Sequence, residues 1–413
     1  MKKLFCNASQ IVTCNTNGDN FKRGNQLAEL DVKYDHSILV ENGLIVDFIP
    51  NSSTHKFYDV ETINLSDKII LPGLIDCHTH TAFAGSRANE FKENISGTHY
   101  EEIAKKGGGI ISTVNAVRNS SVIELVELMK PRINEFIAQG VTTLEIKSGY
   151  GLDFENEIKL LHSIKIINEI FPIEIISTFL GAHTLPPEYK NSKNNYLNLI
   201  TSEMIPHITK NNLAEFCDGF CESTAFSAAD IDLLFTKASE SGLKLKLHSE
   251  QFNNIGGLHI ALKHNAVSVD HLEVINENNY TSFSHSDTVA VLLPGVSFFL
   301  DYQFAPARKL IDSNAVVALA TDYNPGSSHI LNLHLIMSLA AIKMKMKFEE
   351  IINAVTINAA RAVCSEKSTG SIEIGKQADF AVFNAQNYAD IIYNVGRNLI
   401  SHTIKNGEII YQK

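Results

Sequence analysis

The stretch LPGLIDCHTH, residues 71–80, joins an apolar run to a carboxylate and two histidines. The apolar residues predict a buried β-strand, and a buried strand that ends in polar groups needs a reason for them. His78 and His80 are two positions apart, so on an extended strand both side chains point to the same side. They could therefore bind one metal ion, although two histidines exposed at a strand end would give the same local pattern.

Segments of the same apolar, β-rich kind recur through the middle of the chain. They lie at residues 69–77, 141–147, 174–181, 215–220, 243–247, 266–270, 288–293 and 316–321. Helical periodicity separates several of them, as in residues 121–139 before Gly140, and a last helix is predicted at residues 348–364. Eight strands that alternate with helices predict an α/β fold built on a parallel (β/α)8 barrel of the TIM type.

Polar side chains end most of these strands, at the edge where such barrels carry their active sites. They are Asp76, His78, His80, Lys147, Tyr150, His183, His248, His271 and Asp322. Zinc and iron favour sets of nitrogen and oxygen donors. The sequence therefore predicts a metal site built from His78, His80, His248 and Asp322.

Several of these residues have a purely structural alternative. Lys147 could bridge two metals as a carboxylated lysine, but an ion pair is favoured. His183 could be a hydrogen-bonded histidine before a Pro-Pro turn, and His271 could be a core histidine bonded to Asp270 or Glu273. Histidines away from the strand ends are expected at the surface or in packing.

Other motifs are assigned no chemistry. Cys217 and Cys221 lack a second cysteine pair, which disfavours structural zinc, and Cys77 is expected to serve in packing. The three glycines 107–109 lack the spacing of a phosphate-binding loop, so they predict a mobile loop near the barrel mouth.

Both ends of the chain carry β-hairpin signals. Asn42-Gly43 and Asn406-Gly407 each lie between β-rich runs, and residues 371–384 suggest strand, turn at Gly375, and strand. We expect one composite β-sandwich domain from residues 1–66 and 366–413, around a barrel domain of residues 67–365.

Composition limits the possible partners. The chain has 35 Lys and Arg against 46 Asp and Glu, a net charge of -11, which disfavours nucleic acid and favours a small-molecule substrate. No run reaches the roughly 18 apolar residues of a membrane span, and the start is a poor secretory signal. Six scattered cysteines fit reduced thiols, so we expect a cytoplasmic protein.

With these motifs together, the chain resembles the amidohydrolase superfamily over nearly its whole length. The motifs are LPGLIDCHTHTAFAGSR, KGGGIISTV, EIKSGYGL, FLGAH, LHSEQF, SVDHLE, TDYNPGSS and IEIGKQADFAVF. Within the superfamily it is similar to the hydrolases of histidine degradation that open the cyclic amide of 4-imidazolone-5-propanoate to give N-formimidoyl-L-glutamate. The resemblance implies a homodimer with one Zn²⁺ or Fe³⁺ per chain.

The resemblance also implies roles for particular residues. His78, His80, His248 and Asp322 would hold the metal, Asp322 and His271 would move protons, and His183 would stabilise the oxyanion. The substrate and product contacts implied are Arg87, Tyr150, His183, Gln251, Glu250, Asn324, Gly326 and Ser327. Whether Glu250 or Gln251 faces the substrate stays open, because the HSEQF patch varies among relatives.

Two rival functions remain open at this point. One is a two-metal cyclic amidohydrolase, similar to hydantoinase or dihydroorotase, with a carboxylated Lys147. The other is a catalytically dead scaffold of the same fold, which the presence of all four metal-ligand positions disfavours.

Overall fold

The computed structural model of the chain describes residues 2–96 and 108–413, and in that part the strands form three sheets. The strands in chain order are β1 (Lys2–Cys6), β2 (Gln10–Val12), β3 (Val32–Lys33), β4 (His36–Glu41), β5 (Leu44–Pro50), β6 (Glu61–Asn64), β7 (Ile69–Pro72), β8 (Leu74–Asp76), β9 (Val141–Lys147), β10 (Glu174–Ala182), β11 (Phe216–Cys221), β12 (Lys244–Ser249), β13 (Ser268–His271), β14 (Val289–Leu292), β15 (Val316–Leu319), β16 (Phe380–Phe383), β17 (Ile400–Lys405) and β18 (Glu408–Gln412).

Helices alternate with the central strands. They are α1 (Ala88–Ile95), α2 (Ile110–Asn119), α3 (Val122–Ala138), α4 (Phe154–Ile170), α5 (Lys193–Leu199), α6 (Ile205–Lys210), α7 (Ala228–Glu240), α8 (Gly257–Lys263), α9 (Pro294–Phe299), α10 (Ala307–Asp312), α11 (Leu333–Met344), α12 (Phe348–Ala354), α13 (Ile357–Ala362) and α14 (Ala389–Tyr393). In the described part of the chain, no helix has both the length and the apolar character needed to cross a membrane.

Strands β8 to β15 form one parallel sheet in sequential order. Each of the eight β-rich segments supplies one of these strands, so the predicted (β/α)8 barrel is confirmed. Residues just beyond β8 and β15 join the two ends of the sheet. Asp322 N donates to the His78 carbonyl at 3.0 Å and His80 N donates to the Tyr323 carbonyl at 2.9 Å. Asp76 completes this seam by accepting from the Thr321 hydroxyl at 2.6 Å.

The first predicted strand, residues 69–77, is wrong as a single element. Its first half, β7, lies between β2 and β16 in a six-stranded sheet, and only β8 belongs to the barrel. Gly73 separates them, and a Cβ there would lie 2.1 Å from Thr142 Oγ1. The chain therefore crosses from one sheet to the other where only glycine fits.

The other two sheets form the predicted composite β-sandwich. Their strand orders are β5-β4-β1-β6 and β18-β17-β16-β7-β2-β3, so both ends of the chain contribute. Phe5, Ile38, Ile70, Phe380 and Ile404 are among the buried residues between them. Both Asn-Gly turns form hairpins with positive φ at the Asn and the Gly, as two-residue turns require.

Two local predictions are wrong. Residues 371–377 form no regular strand: Ile372 N bonds the Thr13 carbonyl and Gly375 N bonds the Ile45 carbonyl, and these single contacts give no ladder. The predicted helix 348–364 is two helices, α12 and α13. The break is at Thr356, whose φ of -127° and ψ of -99° are not helical.

Candidate active site and metal centre

Four side chains from three strand ends, those of β8, β12 and β15, meet at the carboxyl end of the barrel. His78 Nε2 and His80 Nε2 each lie 3.3 Å from Asp322 Oδ1, and His248 Nε2 lies 3.3 Å from His80 Nε2. All four side chains are almost completely buried. The residues predicted as metal ligands are therefore brought together at one point.

Buried carboxylates behind two of these histidines set their orientation. His78 Nδ1 lies 2.6 Å from Asp270 Oδ2, and His248 Nδ1 lies 3.1 Å from Asp218 Oδ1. An ionised carboxylate only accepts hydrogen bonds, so each Nδ1 carries the hydrogen, and in the neutral ring each Nε2 presents a lone pair to the centre. The suggested pairing of Asp270 with His271 is therefore wrong, because Asp270 binds His78.

The donor atoms at this point fit a cation. His78 Nε2 and Asp322 Oδ1 are buried without a hydrogen-bond partner. Donor atoms of His78, His80 and Asp322 all lie within 4.8 Å of one another, as do those of His78, His248 and His271. Lone pairs and a carboxylate oxygen at such distances repel one another unless a positive charge lies between them. Nitrogen and oxygen donors of this kind suit a transition metal or zinc.

The pKa values of these side chains describe two neutral histidines beside a point that favours positive charge. Burial lowers the pKa of His80, and it lowers the pKa of His248 to about 3, so both rings are neutral at pH 7. Burial also opposes the charged form of His78, but Asp270 and Asp322 outweigh it and raise the pKa of His78 to about 9, so these carboxylates favour a cation at this point. Burial disfavours ionised Asp322, yet the neighbouring rings of His78 and His80 hold its pKa well below the usual range.

Lys147 lies below this centre in a buried ion-pair network. Its Nζ is 2.8 Å from Glu145 Oε1 and 2.9 Å from Asp218 Oδ2. Burial opposes the ammonium form, but Asp218 and Glu145 outweigh it and raise the pKa of Lys147 above its ordinary value. Carboxylation requires the neutral amine, so the ion-pair interpretation is confirmed and the two-metal alternative loses its bridging ligand.

A cavity of about 570 Å³ opens above the donor cluster. Its floor includes His80, His248, His271 and Asp322. The predicted substrate contacts that line it are Arg87, Tyr150, His183, Gln251, Asn324, Gly326 and Ser327. Residues distributed from position 80 to position 327 thus face one space of small-molecule size.

Arg87 lies at the cavity wall between Glu90 and Gly326. Its Nε donates to Glu90 Oε2 at 2.8 Å. A Cβ on Gly326 would lie 2.1 Å from Arg87 Nη1, so the glycine leaves room for the guanidinium. Glu90 Oε2 also accepts from Gly109 N at 3.0 Å, at the start of α2. Residues 97–107 lie outside the described residues, and with them Gly107 of the predicted loop 107–109.

The choice between Glu250 and Gln251 is answered by their positions. Gln251 lines the cavity, and Glu250 is absent from its lining. Glu250 is buried, and burial raises its pKa to about 7. Gln251 is therefore the better placed of the two for a substrate contact, and that contact stays a prediction.

His183 lies in the cavity with its hydrogen-bonding role fixed. Its Nδ1 is 2.9 Å from the Gly149 carbonyl, which can only accept, so Nδ1 carries the hydrogen. Burial lowers the pKa of His183 to about 3, so the ring is neutral and Nε2 is an acceptor. In this neutral tautomer Nε2 would accept a hydrogen bond, whereas the expected donation to an oxyanion stays a prediction that requires a protonated ring. His183 also lines the cavity, which a merely structural histidine would not require.

His271 ends β13 in a strained conformation. Its φ is +88° and that of Leu272 is +68°, a region that residues with a side chain rarely adopt. Its Nδ1 lies 3.4 Å from Glu273 Oε2, and the ring faces the cavity. Such strain clusters at functional sites and needs compensation by the surrounding packing.

Sequence reasoning missed the carboxylates that hold the cavity loops. Glu157 accepts hydrogen bonds from three backbone N–H groups of the loop that carries Tyr150. Glu222 does the same for Phe252 and Asn253, next to Gln251. Glu157 lies in a helix and carried no local signal, whereas Glu222 directly follows β11 and could have been found by its place at a strand end.

The cysteines of the central strands are buried. Cys77, Cys217 and Cys221 are buried free thiols, and among the described residues none belongs to a group that could hold a metal. Cys77 packs in an apolar cluster with Ile75 and Val316.

Comparison with known proteins gives a consistent result. Residues 69–410 match the model of the amidohydrolase family. An imidazolonepropionase of Fusobacterium nucleatum is 43% identical over 353 residues, 86% of this chain and 85% of that protein. One of Clostridium tetani is 39% identical over 419 residues, the full length of both chains. A crystal structure of an adenosine deaminase from Xanthomonas campestris with bound zinc has a TM-score of 0.74 at 16% identity, and covers 98% of this chain and 92% of its own.

Proposed function

This chain belongs to the amidohydrolase family, among the imidazolonepropionases, and on that premise we propose that it opens the cyclic amide of 4-imidazolone-5-propanoate to give N-formimidoyl-L-glutamate. The observation that carries the proposal is the convergence of His78, His80, His248 and Asp322 beneath a cavity whose wall holds Arg87. A water molecule adds to the ring carbonyl carbon, the carbon–nitrogen bond breaks, and the ring nitrogen leaves with a proton.

A metal ion held by His78, His80, His248 and Asp322 would supply a Lewis acid that lowers the pKa of a water molecule toward neutrality. We further propose that one ion binds per chain and that it is Zn²⁺ or Fe³⁺. The nitrogen and oxygen donor set supports both ions, and the protonated Lys147 disfavours a second ion bridged by that residue.

Proton transfer falls to two residues on the cavity floor. Asp322 accepts the proton of the attacking water on its carboxylate. His271 returns a proton to the leaving ring nitrogen from Nε2, because its Nδ1 faces Glu273. The burial of both side chains keeps bulk water away from this exchange.

The cavity walls hold and orient the substrate. Arg87 pairs with the propanoate, because its planar guanidinium matches a carboxylate in a bidentate way. His183 accepts an N–H of the imidazolone ring on Nε2, the acceptor left free by its bond to Gly149. Tyr150, Gln251 and Ser327 offer further polar contacts, and Asn324 holds the turn containing Gly326 by accepting from Gly326 N and Ser327 N.

The test is the loss of the imidazolone absorbance in the presence of purified protein whose metal content has been counted. We expect hydrolysis that depends on the metal and is restored when the metal is added back after chelation. Absence of hydrolysis by protein that contains one metal per chain would refute the proposed substrate. We further propose that the protein is a cytoplasmic homodimer. Sedimentation velocity on the same preparation measures the mass and so tests the dimer.

A further inference from the structure

Glu157, in the first turn of α4, is a completely buried carboxylate that the proposed mechanism leaves unused. Its Oε1 accepts from Gly151 N at 2.7 Å and from Leu152 N at 2.9 Å. Gly149 N donates to both oxygens, to Oε2 at 3.1 Å and to Oε1 at 3.2 Å. Burial raises the pKa of Glu157, and the groups that oppose this rise are the Ser148 hydroxyl and these backbone donors. The carboxylate thus accepts the hydrogen bonds of loop N–H groups that a neighbouring strand would accept in a β-sheet.

The loop that Glu157 holds has little freedom to fold otherwise. A Cβ on Gly151 would lie 2.4 Å from Glu157 N, so the loop packs directly on the start of α4. Gly149 has a φ of +102°, and a Cβ there would lie 3.1 Å from His183 Nδ1. Backbone and carboxylate are therefore fitted to each other over residues 149–152.

This loop touches the substrate cavity at two points. The Gly149 carbonyl accepts from His183 Nδ1 at 2.9 Å, which leaves Nε2 of that ring as an acceptor. The Tyr150 ring lies in the cavity wall, 5.4 Å from the His183 ring and 5.8 Å from the His80 ring between centroids. A shift of the Gly149 peptide would therefore move both contacts.

We propose that Glu157 is a positioning residue for the reaction: by holding the 149–152 backbone it fixes the Gly149 carbonyl, and through it the orientation and tautomer of His183, together with the place of Tyr150. The inference rests on the proposed function for its catalytic consequence. The effect on His183 requires only the contacts described here.

The sharpest variant is Glu157→Gln, which keeps the size of the side chain. If the amide oxygen takes the place of Oε1 and keeps the bonds to Gly151 and Leu152, its NH₂ group takes the place of Oε2, the nearer acceptor of the Gly149 N–H. Two donors cannot bond, so Gly149 N keeps only the 3.2 Å contact and is pushed away on its other side. We expect kcat/KM for imidazolone propanoate to fall by about 10- to 100-fold, with metal content unchanged, since a displacement of about 1 Å in a positioning group has effects of this size.

Glu350→Gln is the matched control. Glu350 is equally buried, and it caps α12 through Lys347 N and binds Arg308 on the outside of the barrel. Its variant should lower the midpoint of unfolding and leave kcat/KM within about twofold of the wild type, as expected for a change remote from the cavity. Equal kcat/KM for wild type, Glu157→Gln and Glu350→Gln would reduce Glu157 to a structural residue and overturn the proposal.

A second measurement does not depend on catalysis. In zinc-loaded protein labelled with ¹⁵N-histidine, the His183 signals are identified by their absence in His183→Gln. We expect Glu157→Gln to shift the His183 Nδ1 and Nε2 resonances, and Glu350→Gln to leave them in place. Unchanged His183 signals in Glu157→Gln would overturn the inference. If the wild type is inactive but Glu157→Gln still shifts the His183 signals, the proposed substrate is refuted and the positioning role is upheld.

Discussion

The barrel mouth and the β-sandwich both bury charged groups, but they treat them differently. In the sandwich, Asp379 accepts from Lys405 Nζ at 2.7 Å, Asn406 N at 2.9 Å and Thr369 Oγ1 at 3.1 Å. At the barrel mouth, His78 Nε2 and Asp322 Oδ1 are buried with no partner of this kind. Complete pairing marks a structural role, whereas unpaired buried donors and acceptors mark a place where a ligand completes the structure.

Backbone geometry separates the two regions in the same way. Positive φ in the sandwich falls mostly at Asn and Asp residues, such as Asn42 and Asn406 in the two hairpin turns, and these residue types adopt it readily. At the barrel mouth it falls at Glu250, His271 and Asp322, at or shortly after the ends of β12, β13 and β15. Positive φ costs more free energy at glutamate and histidine, and the side chains of His271 and Asp322 face the cavity.

The largest expected effect tests the contrast directly. His248→Ala should lose the metal and lower activity by roughly three or more powers of ten, because metal activation of water lowers the barrier by several kcal/mol. Elemental analysis and the rate of imidazolone loss measure both. Asp379→Asn, in the sandwich, should keep the metal and lower only the midpoint of unfolding. Unchanged metal content in His248→Ala would contradict the assigned ligand set.

Arg87 gives the next largest effect and tests the identity of the substrate. Arg87→Ala should lower kcat/KM by a factor that corresponds to a loss of roughly 2 to 4 kcal/mol in transition-state stabilisation, because the propanoate would lie unpaired in the cavity. Arg87→Lys should also lower kcat/KM, because an ammonium cannot form the bidentate pair.

An imidazolone that lacks the propanoate arm is the control substrate for Arg87. The wild type should hydrolyse it poorly, and Arg87→Ala should lose little more on it. Equal losses on both substrates would mean that another residue pairs with the carboxylate.

The sequence predicts the parts of this contrast that depend on local pattern. The eight strands follow from apolar periodicity, and His78, His80, His248 and Asp322 follow from their place at strand ends. Local pattern cannot predict which distant groups meet. Asp218 and Asp270 orient metal-site histidines across 30 and 192 positions of the chain, and nothing beside either aspartate indicates it. The split of the first strand at Gly73 likewise depends on Thr142, which lies on the neighbouring strand.

Asp270→Asn should weaken the metal site without removing a metal ligand. Asp270→Asn keeps an acceptor for His78 Nδ1–H but removes the negative charge that favours His78 as a donor to the metal. We expect metal affinity to fall by about 10- to 100-fold, measured by competition with a chelator. The fold should be retained at saturating metal. Unchanged affinity would show that the pair of Asp270 and His78 is only structural.

The smallest effect concerns a buried histidine far from the metal site. His334 donates from Nε2 to the Gln139 carbonyl and packs edge-on against Phe383, so it has the packing role expected of histidines away from the strand ends. Burial lowers its pKa from 6.5 to about 4. Between these values the unfolded chain binds the proton and the folded chain does not. His334 therefore contributes stability above pH 6.5 that is lost as the pH falls toward 4.

The expected outcome is a difference between variants. Between pH 7 and pH 5, the wild type should lose roughly 1 to 2 kcal/mol more unfolding free energy than His334→Gln, as measured by urea denaturation. His259 is exposed, and His259→Gln should follow the wild type. Parallel losses in wild type and His334→Gln would contradict the assigned pKa direction.

The seam between β8 and β15 has a consequence for the synthesis of the chain. It joins Asp76 to Thr321 across 245 positions, so the first barrel strand has no partner on that side until almost the whole barrel has been made. A growing chain that already carries His78 and His80 lacks both Asp322 and the edge that aligns it. Tight metal binding by the proposed ligands should thus appear only after Asp322 has been made. It can report the moment at which a newly made barrel closes.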